Sequence, residues 1–128
     1  MRSPFRDTVT LYDKTDNGYS RTVVSNVSAR TVDRLDGGRS ATVYMPLEMR
    51  RRVKYLLPRD FSGQRDCFTV CVGQLVAPYE CNSDFPPDDA LTVSEIHYAL
   101  NGSARVRHLK IKLITRRKEE VNYEESDS

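Results

Sequence analysis

The chain has no tryptophan, only two histidines and only three cysteines, and each shortage narrows what it can be. The cysteines, Cys67, Cys71 and Cys81, are odd in number, so at least one is unpaired. No secretory leader is evident, and we expect free thiols in a reducing compartment. Zinc is disfavoured by spacing: a C-x3-C pair, one more cysteine ten positions on, and His97 and His108 far away do not supply the four well-spaced ligands of a structural site. No apolar run approaches the roughly 20 residues that cross a bilayer, so a soluble protein without a membrane partner is expected. A formal net charge of +2 excludes any argument for nucleic-acid binding from total charge, leaving only its distribution.

Catalytic signatures are missing too. No nucleophile stands beside a base, and Gly37-Gly38 is not followed by the Lys-Ser/Thr signature of a phosphate loop. Asp84, Asp88 and Asp89 lack the spacing and terminal glutamate of a calcium loop. We expect no enzymatic activity and no cofactor, which leaves binding or structural roles. With 30% charged and 38% hydrophobic residues, the balance is wetter than an average domain, pointing to loops, tails or a polar partner surface.

What is present is alternation. Leu109, Ile111 and Leu113 alternate with Lys110 and Lys112, the period of a strand with one buried and one wet face. Ile96, Tyr98 and Leu100 alternate with His97 and Ala99, and Asn101-Gly102-Ser103 supplies the turn, so residues 91–114 predict an antiparallel hairpin. Val106 has the opposite parity to Leu109: either a bulge near Arg107 and His108 reconciles them, or Val106 faces the other side.

Upstream, Thr8 to Tyr12 predicts a strand, Asp13 to Gly18 a turn, and the β-branched stretch Tyr19 to Val27 its hairpin partner. Asp36-Gly37-Gly38 breaks the chain before a strand at Ala41 to Met45, which Pro46 stops. Leu47 to Leu57 fits a short helix or an excursion loop. Phe68, Val70 and Val72 predict a further strand, and Ala77 to Asp89, with three prolines, a loop. The whole predicts an all-β fold, a small barrel or sandwich of about six to seven short antiparallel strands with long loops and at most one short helix. A single domain over residues 1–114 and a charged tail over 115–128 complete the organisation.

The candidate contact residues are basic. Arg50, Arg51, Arg52 and Lys54 form the densest cationic cluster, and Arg105, Arg107, Lys110 and Lys112 mark the last strand. A solvated face is the plain reading of such runs. The sharper one is contact with an acidic partner or with nucleic-acid phosphates.

The segments TVTLYDKTDNGYSRTV, ATVYMP, YLLPRDF and HYALNGSARVRHLKIKL occur in an order that resembles the small head–tail connector, or minor capsid, proteins of tailed bacteriophages and prophages. The matching stretches are Thr42 to Pro46, Tyr55 to Phe61, Phe68 to Gly73 and Ala99 to Ile111. Leu109 stands where that pattern has tryptophan, and Gln74 where it has an acid. The resemblance implies a stopper or head-completion subunit in the neck of the virion, made in the host cytoplasm. Many copies would form a homo-oligomeric ring between portal or adaptor and tail proteins, with genomic DNA passing through. The alternative from another class is a nucleic-acid-binding β-barrel of the OB type.

Overall fold

The computed structural model describes residues 6–47, 52–99 and 108–115. Eight strands lie among them: β1 (Asp7–Thr15), β2 (Gly18–Asp33), β3 (Arg39–Pro46), β4 (Lys54–Tyr55), β5 (Cys67–Phe68), β6 (Leu75–Ala77), β7 (Leu91–Ala99) and β8 (His108–Thr115). Six close into an antiparallel barrel in the order β1-β2-β3-β8-β7-β6, and β4 with β5 makes a small parallel pair beside it. The fold is therefore an all-β barrel. The parallel pair departs from the purely antiparallel expectation, and no helix occurs among the described residues.

The alternation in β8 sets the core. Leu109, Ile111 and Leu113 are buried, and so are Ala41, Val43 and Met45, their register partners across β3. Burying a side chain of this size is worth about 1.5–3 kcal/mol, so these two strands supply a large share of the barrel's cohesion. Pro46 ends β3 as expected, because it cannot extend a ladder as a donor.

Several expectations need correction. β1 runs on to Thr15, so the first turn is only Asp16-Asn17, with Gly18 at φ 136° taking a conformation that side chains resist. β2 continues well past Val27 to Asp33. It does so through a bulge: the three residues Asp7 to Val9 of β1 oppose the four residues Val24 to Val27 of β2, and Asn26 adopts a φ of 59°. Val24 and Val27, of opposite parity, thereby both reach the core.

A second bulge sits in β7. Val93 pairs with Leu113 but Glu95 with Lys112, so Ser94 is the extra residue, and inward parity passes from Leu91 and Val93 to Ile96. Of the bulge expected near Arg107 and His108, Val106 and Arg107 lie outside the described residues, and His108 keeps the regular register of β8, paired with Pro46 and Ala99. The expected strand at Phe68 to Val72 shrinks to Cys67–Phe68. Phe68, Thr69 and Val70 are all buried while Val72 is exposed, because this stretch fills the core as an excursion and not as a barrel stave. The stave is the following Leu75–Ala77. Thr115 completes β8, one residue beyond the expected end of the domain, and residues 116–128 lie outside the described residues.

β1 is buried on both faces. Val9 and Leu11 point into the barrel. Thr10 and Tyr12 point outward, yet are 0% and 1% exposed, because the Pro78–Phe85 segment lies across them as a strap. Its anchors are specific. The Thr10 hydroxyl donates to the Tyr79 carbonyl (2.8 Å) and accepts from the Cys81 N–H (2.9 Å). The Tyr12 hydroxyl donates to the Ser83 carbonyl (2.8 Å), and Arg21 donates to the Cys81 carbonyl (2.8 Å). Phe85 packs edge-on against Tyr19.

Candidate functional site

In a six-stave barrel of this order β8 lies diametrically across from β1, so the strapped face and the face carrying Lys110 and Lys112 are opposite. No segment among the described residues crosses the outside of β3, β8 and β7 as the strap crosses β1. The register arranges their outward side chains in two rows, Ser28–Tyr44–Lys110–His97 and Arg30–Thr42–Lys112–Glu95, each running from β2 to β7.

These rows place cations beside an aromatic. The Lys110 ammonium lies 5.8 Å from the centre of the Tyr44 ring, within cation–π range, and the His108 ring tilts against the same tyrosine at 6.0 Å. Glu95 is the acid of the second row. It receives the His97 ring nitrogen at 2.9 Å and the Lys112 ammonium at 3.7 Å. The hydrogen bond from His97, then the charge of Lys112, hold its carboxyl below the usual range. All three are exposed, so the arrangement orders the side chains more than it stabilises the fold.

The basic candidates separate. Lys110 and Lys112 occupy the open face. Arg52 lies elsewhere, lining a groove of about 1000 Å³ with Val53, Arg21, Val23, Ser25, Asn26, Glu80 and Asn82, between β2 and the strap. Lys54 is exposed on β4, its N–H bonded to the Asp66 carbonyl. Arg50, Arg51, Arg105 and Arg107 lie outside the described residues. The two histidines are not register partners: His97 faces Lys110 and His108 faces Ala99.

No family model, curated protein or solved structure matches the chain.

Burial and the nearby Asp13 push the Cys71 thiol up, away from thiolate, and all three cysteines are free. Among the described residues no group of three His, Cys, Asp or Glu is placed to hold a metal. Gln74 is the polar residue that sequence reasoning undervalued. Buried at 7% exposure, it donates to Asp13 (2.7 Å) and to the Thr69 carbonyl (3.2 Å) and accepts from the Cys71 N–H (3.4 Å). An acid at position 74 would lose the donor and set two carboxyls together. Burial raises the Asp13 carboxyl and the Gln74 bond opposes that rise. Tyr44, Arg30 and His97 were missed as companions of the lysines, since only the β3–β8 and β7–β8 register brings them together.

Proposed function

We propose that the chain is a structural subunit of a head–tail connector, self-assembling head-to-tail into a ring in the neck of a tailed bacteriophage. The supporting observation is a pair of unlike exposed apolar sites at opposite ends of β2. Val32 and Leu35, 61% and 110% exposed, stand at the β2–β3 hairpin. Phe85, 63% exposed, stands beside the β1–β2 turn against Tyr19. A closed ring needs two different patches that fit each other, not one patch that fits itself. Portal, adaptor and tail proteins of the same virion are the partners above and below, and the Lys110–Lys112 face is then available to DNA in the channel.

Mixing variants tests this reading. Leu35→Asp and Phe85→Asp should each be monomeric alone, while an equimolar mixture forms dimers and stops there, because it retains one intact pair of patches. Native mass spectrometry counts the species. A wild type that stays monomeric at high micromolar concentration, or a single variant that still dimerises alone, sinks the proposal.

A second reading, a nucleic-acid-binding barrel, is favoured by one observation, the Tyr44 ring beside Lys110 and His108. The six-stave closed barrel differs from the five-stranded, partly open OB fold. Strong single-stranded DNA binding that weakens steeply with salt would favour this reading over the ring.

A further inference from the structure

The groove between β2 and the strap is lined by two arginines, Arg21 and Arg52, against one acid, Glu80, and Arg50 and Arg51 directly precede Arg52 in the chain. Val23 and Val53 give it an apolar floor beside the charges. The acidic residues closest to the end of the sequence are Glu124, Glu125 and Asp127, preceded by Tyr123. We infer that the groove receives this acidic end of the chain's own C-terminal segment, with its carboxylates against Arg52 and, for Asp127, Arg21.

Length selects which acids reach. The segment departs from Thr115, whose hydroxyl is bonded to Arg39, the register partner of Asp33 on β2. From there the near end of the groove, Asn26, is about 25 Å away, taking roughly 3.3 Å per residue back along β2 and two inter-strand steps of about 4.8 Å. Extended chain covers about 13 Å to Glu119, about 30 Å to Glu124 and about 40 Å to Asp127 at the same rise. Glu119 and Glu120 fall short of Asn26, Glu124 and Glu125 reach it, and Asp127 reaches as far as Arg21, about 41 Å away by the same measure.

Tethering decides between this segment and one from a separate molecule. Exposed ion pairs are worth about 0.2–1 kcal/mol each, too little to hold two copies together through two or three of them. A short tether supplies the same pairs at an effective concentration in the millimolar range, which a separate molecule at micromolar concentration does not match. The inference does not depend on ring formation.

Amide chemical shifts of the full-length protein in dilute buffer test it. Neutralising the far acids (E124Q/E125Q/D127N) should move the amides of Val23, Asn26, Arg52 and Asn82, and about 1 M salt, which screens exposed pairs within roughly 3 Å, should move them the same way. Neutralising the near acids (E119Q/E120Q) should leave those amides in place. The inference is overturned if the far-acid variant leaves the groove amides unmoved, or if both variants move them equally. Wild-type groove shifts that change with protein concentration also overturn it, since they assign the groove to a second copy.

Discussion

Replacing Thr10 with valine tests whether the strap is a structural part of the barrel. Valine matches threonine in shape and is more apolar, so if burial alone held this position the substitution would be neutral or stabilising. The hydroxyl, however, serves two backbone groups of the strap, donating to the Tyr79 carbonyl and accepting from the Cys81 N–H. Thr10→Val orphans both. An orphaned buried group costs about 1–3 kcal/mol. Because these two bonds are only partly buried, water recovers some of that, which sets the expected loss at about 2 kcal/mol in total. Thr10→Ser keeps both bonds and loses one methyl, about 1 kcal/mol by the cost of a buried methylene. Urea denaturation followed by circular dichroism should therefore rank wild type above serine above valine. Limited proteolysis should cut residues 78–85 fastest in the valine variant. A valine variant as stable as wild type, or more stable than the serine variant, would refute the reasoning.

Ile111→Asp places an unpaired charge among the inward side chains of β8 and should abolish the thermal transition, since that burial costs several kcal/mol; a melt like the parent's would overturn the core assignment. Burial, with Cys81 beside it, pushes the Tyr12 phenol up to about 12, above the unfolded value near 10. The folded state therefore keeps that proton longer, and the stability linked to it is intact below pH 10 and lost as pH rises through about 12. The urea midpoint should fall across that window, and fall less in Tyr12→Phe; an equal fall in both would assign the alkaline loss to other groups.

The parts of the fold legible in the sequence are those whose neighbours along the chain decide their faces. Leu109, Ile111 and Leu113 in β8 and Ala41, Val43 and Met45 in β3 alternate without interruption, and both strands stand where alternation puts them. Where a bulge intervenes, alternation misleads: Ser94 shifts the parity of β7, and Asn26 that of β2. Phe68, Val70 and Val72 alternate too, but the burial of Phe68 and Val70 comes from an excursion folded into the core and Val72 is exposed, so the pattern carries no strand beyond Phe68. The outward burial of Thr10 and Tyr12 was not legible at all, since it depends on a segment some 70 residues away. The candidate face was half legible: Lys110 and Lys112 declare themselves by alternation, whereas Tyr44 joins them only through the register of two strands distant in sequence.

The barrel is closed by its shortest stave. β6 is three residues long, and it alone joins β1 to β7, each nine residues long. A thermal opening of the sheet should start at this seam, where the fewest ladder bonds have to break, and the same chain passes from Ala77 straight into the strap. Loosening one therefore loosens the other. An opened seam presents two long unpaired edges at once, the hazard that closure otherwise removes. Protection of the Val76 and Ala77 amides in hydrogen exchange is thus a local readout of how well the chain is guarded against edge-to-edge association.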